Sequence, residues 1–432
     1  MEETSAAAKP VKDYRDETGW LKKLGPGLIT GAADDDPSGI ATYSQAGAQF
    51  GFGLLWTLLF TYPLMVGIQI VSARIGRVTG HGLATNIRQH YPPWLLYIMV
   101  GLLLAANTIN IAADIAAMGD AARLALGGQA HLYAVAFGVL SVLLQVFVPY
   151  RRYVSVLKWL TLALLAYVAT VFIVHVPWSE LVAKTLLPHL SWKPSYLTTI
   201  VAVFGTTISP YLFFWQASQE VEELRADPHA KPLKTDPRQA RADFTRIKVD
   251  TYIGMGFSNL VAFFIMVTTA VTLYAHGVTE IQTSAQAAQA LRPIAGDFAF
   301  TLFSLGIVGT GLLAIPVLAG SAAYAMAGAF HWKSSLEHDL SMAPRFYTII
   351  AVATLAGVVL CFAPIDPIKA LYWSAVVNGV MSVPIMALMM LMAARADIMG
   401  RLVVTRRLKF LGWLATGAMA LAVAAMFIVP AQ

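Results

Sequence analysis

Gly31-Ala32-Ala33-Asp34-Asp35-Asp36-Pro37-Ser38-Gly39 sets three consecutive carboxylates, a proline and a glycine inside a run that is otherwise apolar. The flanks, Leu24–Thr30 and Ile40–Leu59, are apolar enough to bury. An ionised Asp at the middle of a bilayer costs roughly 3 kcal/mol on insertion scales. Pro37 removes a helix hydrogen bond, and Ser38-Gly39 let the backbone open. Lipid forbids bared carbonyl groups unless the break lines a cavity within protein. The stretch therefore predicts a spanning helix broken around a cation site. The competing reading is a surface turn between two short helices, because Asp and Pro are turn formers.

Composition supports the membrane. The 432 residues are 57% hydrophobic and 12% charged, against roughly 25% charged in soluble domains. Repeated apolar runs make one membrane domain the expectation rather than several soluble ones. The net charge of +6 is spread over the loops between those runs and is no signal for nucleic acid. A lone cysteine, Cys361, falls in an apolar run, which excludes a disulfide framework. Met1–Tyr14 is polar and mixed in charge, without a signal-peptide pattern. No nucleotide-binding loop or catalytic constellation is present, so no enzyme is expected.

Eleven apolar segments follow one another at about 25–49, 51–73, 94–122, 131–149, 153–176, 196–218, 249–275, 297–326, 346–363, 368–393 and 408–429. Each approaches or exceeds the roughly 20 residues that a helix needs to cross the hydrocarbon, the ninth being the shortest. A barrel's alternating strands do not give continuous runs of this length. The predicted fold class is an all-α polytopic membrane protein. With the N-terminus in the cytoplasm, 25 of the 30 Lys and Arg residues fall on the inner side. Only Arg123, Lys184, Lys193, Arg292 and Lys369 are left outside. That asymmetry follows the positive-inside rule, and an odd number of spans then puts the C-terminus outside. The stretch Gln219–Lys248, acidic at first and then basic, reads as a cytoplasmic linker. His276–Gly296, rich in Ala and Gln, reads as an extracellular loop or a short helix over the entrance.

A second break lies in the sixth segment, Phe204-Gly205-Thr206-Thr207-Ile208-Ser209-Pro210-Tyr211. Segments 1 and 6 are five apart, so equivalent halves would run in opposite directions. Interrupted helices at matching places in two halves point to a transporter site at the interface of inverted repeats. Residues 1–24 form an N-terminal cytoplasmic segment in this scheme, and 25–429 one transport domain. The first repeat covers about 25–176, a linker 177–195, the second repeat about 196–393, and an extra helix 408–429. No residue-level similarity between the halves is visible.

At these residues the chain resembles the Nramp family of divalent-metal transporters, and within it the Nramp-related magnesium transporters. Nramp proteins carry Asp-Pro-Gly-Asn where this chain has Asp36-Pro37-Ser38-Gly39, and Met-Pro-His where it has Ser209-Pro210-Tyr211. The resemblance implies a LeuT-like 5+5 inverted repeat with helices 1 and 6 unwound, alternating access, and Mn²⁺ or Fe²⁺ import coupled to protons. It makes Asp36 the metal-binding carboxylate. Where Nramp proteins have an Asn ligand and a soft thioether, this chain has Gly39 and Ser209. Soft ligands select against hard cations, whereas oxygen ligands suit Mg²⁺, Ca²⁺ and Mn²⁺. Losing two large side chains widens the site, which suits a partly hydrated Mg²⁺. Thr206, one helical turn before Ser209, offers a hydroxyl or carbonyl. Both hydroxyls have the alternative of bonding back to their own helix.

On a helix Asp34 and Asp35 would point about 200° and 100° away from Asp36. Asp35 is taken as a further metal contact or a cation attractor at the entrance, and Asp34 as a pathway residue or a partner for another polar group. In segment 3 the stretch Asn110-Ile111-Ala112-Ala113-Asp114-Ile115-Ala116-Ala117 resembles the Nramp proton-relay helix. Asp114 is kept, but Ala117 and Tyr211 stand where that relay has Glu and His. Arg345 is a conceivable partner for Asp114, although a basic residue at a helix end usually anchors it to the interface. Asn378, in segment 10, is a candidate polar helper. Asn107 and Asn110 either line the pathway or join helices.

The first expectation is uptake of Mg²⁺ without proton coupling, driven by its gradient and by about 4.6 kcal/mol from two charges at 100 mV. The alternatives are a proton-coupled Mn²⁺/Fe²⁺ symporter and a sodium-coupled amine or amino-acid symporter. The expected partners are the divalent cation as cargo and the lipid bilayer, with no resident cofactor and no nucleic acid. The expected setting is a bacterial plasma membrane. The sequence does not fix the oligomeric state, and a monomer is compatible with it.

Overall fold

The computed structural model describes residues 30–31, 33–148, 160–227, 229–336 and 340–429. The predicted N-terminal segment 1–24, the basic residues Arg151, Arg152 and Lys158 and the start of segment 5 lie outside the described residues. All regular structure among the described residues is helical. The helices are α1 (Pro37–Phe50), α2 (Leu55–Thr79), α3 (Leu83–His90), α4 (Pro93–Leu126), α5 (Ala130–Phe147), α6 (Leu165–Ile173), α7 (Trp178–Leu186) and α8 (Pro194–Thr207). They continue as α9 (Pro210–Ala226), α10 (Ala240–Thr272), α11 (Ser284–Gln289), α12 (Ala299–Phe330), α13 (Pro344–Leu360), α14 (Pro367–Ala394) and α15 (Arg406–Ile428). Six of them, α1, α4, α8, α9, α13 and α14, begin on a proline. At the first helical position the missing amide hydrogen has no helical partner to lose, so Pro starts a helix there without cost.

Among the described residues, eight helical stretches are long and apolar enough to cross a membrane, or nine when α6 and α7, bent by 118° at their junction, count as one broken span. Three of the eleven expected segments fall short of that count for separate reasons. Pro37–Thr79 is one stretch of 43 residues, about 65 Å at 1.5 Å per residue and twice the hydrocarbon thickness. Gly51, at φ +56, turns the chain between α1 and α2, a conformation in which only glycine is unstrained. Segment 5 is described only from residue 160, and α13 has 17 residues.

The broken elements lie at the centre. The apolar window of Pro194–Ala226 is 94% buried inside the protein, against 22% for α5 and for α15, which face outward to lipid. Around this centre, α1 packs on α8, α10 and α14, while α4 packs on α5, α12, α13 and α14. Gly205 lets α8 lie directly on α14, because a Cβ there would collide with the Ala375 carbonyl. Small residues permit such approaches in membranes, where packing replaces the hydrophobic drive between helices.

The predicted linker 219–248 is mostly helical. α9 runs to Ala226 and α10 starts at Ala240, leaving a connection of about a dozen residues. Several of the acidic and basic residues of that stretch pair between helices. Arg246 binds Glu220 at 2.5 Å and Glu223 at 3.1 Å, and Arg77 of α2 binds Asp243 at 2.9 Å. The Arg74 guanidinium sits 3.8 Å over the Phe244 ring. In the exposed connection, hydrogen bonds from Arg238 hold the Asp236 carboxyl down at about 2, so this pair stays ionised at any working pH. At the opposite end, the segment 279–291 holds the short helix α11 and is strapped to α1. Gln45 Nε2 donates to the Thr279 carbonyl, and its Oε1 accepts from Ile281 N at 2.9 Å.

Candidate cation site

Both predicted breaks are present. Helical residues end at Asp34, Asp35 bends, Asp36 is extended (φ −69, ψ 170), and α1 starts at Pro37. In the second, α8 ends at Thr207, Ile208 and Ser209 leave helical geometry, and α9 starts at Pro210. α8 ends here and directs the negative end of its dipole at the gap, which favours a cation. Carbonyls at that end have lost their intrahelical partners. Gly39 lies against Thr206: a Cβ added at Gly39 would stand 3.1 Å from Thr206 Oγ1 and 3.3 Å from the Tyr43 ring.

Asp36 is the hub. Its Oδ1 caps α1, accepting from Gly39 N at 2.8 Å and from Ser38 Oγ at 2.5 Å. Its Oδ2 faces the other way, toward Asn110 Nδ2 at 3.1 Å and the Tyr211 hydroxyl at 3.3 Å. Tyr211 also reaches the Ala33 carbonyl at 3.2 Å, so one phenol ties α9 to both sides of the first break. Asn110 extends the chain: its amide donates to Asp114 Oδ2 at 3.2 Å, and its Oδ1 accepts from Asn378 at 3.3 Å. Four helices thus meet at Asp36, Tyr211, Asn110 with Asp114, and Asn378. All five side chains are buried.

Asp34 and Asp35 are held apart from this hub. Ser258 of α10 places its hydroxyl 2.7 Å from Asp34 Oδ2 and 3.0 Å from Asp35 Oδ1. The unwound backbone splits the triad into a pair on α10 and a single acid between α4 and α9. Asp34 meets a polar partner, as one of its readings had it, and Asp35 shares that partner instead of standing beside Asp36. Ser258 was not foreseen, because one hydroxyl in an apolar helix carries no pattern. Ser209 turns back on its own chain, donating to the Gly205 and Thr206 carbonyls at 2.8 and 2.9 Å. Its oxygen lone pairs remain acceptors. Asn107 joins helices, donating to Leu318 O and Ser321 Oγ. Arg345 does not reach Asp114; it stacks over Trp332 at 5.6 Å.

Among the described residues no three His, Cys, Asp or Glu side chains converge as a closed metal cage. The breaks instead offer one carboxylate edge, amide and hydroxyl oxygens, and backbone carbonyls. Neither Ser209-Pro210-Tyr211 nor Asp34-Asp35-Asp36 carries sulfur or imidazole. A donor set of this kind binds hard cations with part of their water retained.

Residues 27–429 match the Nramp family profile, described as natural resistance-associated macrophage protein-like. The chain belongs to the Nramp family. Nramp proteins are metal transporters, and the chain is not an enzyme. The divalent metal cation transporter MntH of Klebsiella pneumoniae (strain 342) is 28% identical over 423 residues, covering 95% of this chain and 92% of its own. Among solved structures, the Eremococcus coleocola manganese transporter superposes with a TM-score of 0.74 at 19% identity, over 94% of this chain and 87% of that one. The fold extends to LeuT-like neighbours. Mhp1, a nucleobase-cation-symport-1 family transporter, matches with a TM-score of 0.55 at 15% identity, over 94% of this chain and 92% of its own.

Proposed function

We propose that this Nramp protein carries divalent cations across a membrane by alternating access, with Mg²⁺ as the preferred cargo and without obligatory proton coupling. Asp36 is the charged ligand. Thr206 and Ser209 supply oxygen from the second break, and Gly39 lets Thr206 close up against the first break. Asp35 and Asp34, held by Ser258, attract the cation on its way. Tyr211, Asp114 and Asn378 shape the polar pocket behind Asp36. The observation that carries the reading is the buried Asp36 edge set between two broken helices whose exposed groups are all hard donors. Mg²⁺ requires oxygen at roughly 2.0–2.1 Å and dehydrates reluctantly. One carboxylate at the hub, with Gly39 and Ser209 in place of an amide and a soft ligand, suits a hard cation.

Eleven spans arranged as a first repeat (25–176) and a second (196–393), followed by an extra helix (408–429), belong to the same proposal. So do a cytoplasmic N-terminus, supported by the 25-to-5 division of basic residues, and an outward C-terminus in a bacterial plasma membrane.

The second reading is an ordinary Nramp that couples Mn²⁺ or Fe²⁺ to protons. The continuous chain from Asp36 through Asn110 to Asp114 favours it, as do the names of the relatives, one a divalent metal cation transporter and one a manganese transporter. Against it stand Ala117 and Tyr211, which leave Asp114 without the acid and imidazole of the family relay. The organic-substrate alternative has no support once the family is known.

The ligand argument has a direct test. Ser209→Met combined with Gly39→Asn is expected to shift the Mn²⁺-to-Mg²⁺ flux ratio upward by about tenfold, the discrimination expected from roughly 1.4 kcal/mol. Thr206 must yield to admit the new side chain at 39. An unchanged ratio in competition uptake would remove ligand softness as the discriminator.

A further inference from the structure

A cavity of about 230 Å³ opens at the end of the bundle that the charge distribution puts in the cytoplasm, and none of the residues of the two breaks lines it. It lies among the α2–α3 turn, α3, the last turns of α9 and the end of α12. The space equals several waters at roughly 30 Å³ each. Four basic side chains line it: His81, Arg88, Arg225 and His331. Glu222 is the acid in the wall, and it is engaged, with Oε1 at 3.2 Å from Arg225 and Oε2 accepting from Ser335 Oγ. Arg225 is further held by the Ser334 carbonyl at 2.6 Å.

Arg88 differs. Among the described residues it has no carboxylate partner and its buried Nε has no hydrogen-bond partner, while its Nη1 meets His331 Nδ1. Guanidinium cannot accept, so the His331 ring accepts at Nδ1 and turns an Nε2–H donor away from Arg88. His331 is held in that place by a left-handed backbone, φ 59 and ψ 34, the one non-glycine residue at positive φ among those described.

A bland explanation is that basic groups cap the C-terminal ends of α2, α9 and α12. It accounts for Arg225 on the Ser334 carbonyl, but not for a guanidinium directed at an imidazole. An exit route for the cation is excluded by the lining, since two guanidiniums would repel the cargo. Two fork-shaped donors and the His331 Nε2–H around a cavity match a tetrahedral oxyanion, while the His81 Nδ1–H is held by the Thr79 carbonyl at 2.9 Å.

We infer that this cavity binds a phosphate-bearing anion, held by Arg88 and His331 with Arg225 at its edge. The ligand is either free phosphate or the headgroup of an anionic lipid. The site is separate from the cation site and does not depend on which cation is carried.

The test uses the purified full chain. Inorganic phosphate is expected to raise the unfolding temperature in detergent saturably, beyond chloride at equal ionic strength. Arg88→Gln should weaken that effect about tenfold or more. His331→Asn is the second variant, because Asn tolerates a left-handed backbone while removing the imidazole. Metal flux should be unchanged in both. A phosphate effect lost in both variants assigns free phosphate. Phosphatidylglycerol retained through purification from vesicles, released by the same substitutions and not replaced by phosphate, assigns a lipid headgroup. If neither phosphate nor phosphatidylglycerol binds in a way that these substitutions weaken, the inference fails.

Discussion

Asp36→Ala is expected to reduce divalent-cation flux about a hundredfold or more, close to 2.7 kcal/mol of lost stabilisation of the ion. The substitution also removes the cap of α1 and strands the donors of Ser38, Asn110 and Tyr211. A lost cap costs about 0.5–2 kcal/mol, so a fall in yield is a foreseeable complication. Asp36→Asn separates the two effects. Asn caps helices as well as Asp does and keeps the shape, so the protein should elute as a folded species while transport stays abolished. Flux retained in Asp36→Asn would take the carboxylate out of the centre of the mechanism. A parallel substitution, Asp35→Asn, should leave Asp36 untouched and lower flux less, because Asp35 is bound at Ser258 and not at the hub.

Glu220→Ala is expected to destabilise the fold by about 3–5 kcal/mol, the usual cost of breaking a buried ion pair by deleting one partner. Glu220 is fully buried, and Arg246 is left facing a cavity with Glu223 as its remaining acid. The pair joins α9 to α10 below the second break, so the half-helix carrying Tyr211 is anchored there. Thermal unfolding in detergent reads the loss, and Glu220→Ala with Arg246→Ala should recover part of it. An unfolding midpoint unchanged by the single substitution would mean that the pair is solvated in the membrane and anchors nothing.

The broken helices were legible in the sequence because each break carries backbone chemistry: proline, glycine and hydroxyls in an apolar run. Asp36 was legible for the same reason. What its neighbours would do was not, because direction depends on how far the chain unwinds. On a continuous helix Asp35 lies 100° from Asp36. The extended Asp36 changes that relation and delivers Asp34 and Asp35 to Ser258. Ser209 kept the choice typical of helical hydroxyls, between its own carbonyls and a ligand, and took its own carbonyls. Charge and proline suggest a loop over 219–248, whereas Glu220, Glu223, Asp243 and Arg246 pair across α2, α9 and α10. The basic cavity has no signature in the sequence. Its residues are spread from His81 to His331, and only the fold brings them together.

Uptake by purified protein in liposomes tests the central claim most directly, with Mg²⁺ and Mn²⁺ followed in parallel and a pH-sensitive dye inside. Mg²⁺ entry driven by a negative-inside potential, without acidification of the lumen, is the expected result. Mn²⁺ entry accompanied by acidification, with no Mg²⁺ flux, would contradict it and return this chain to proton-coupled transition-metal transport.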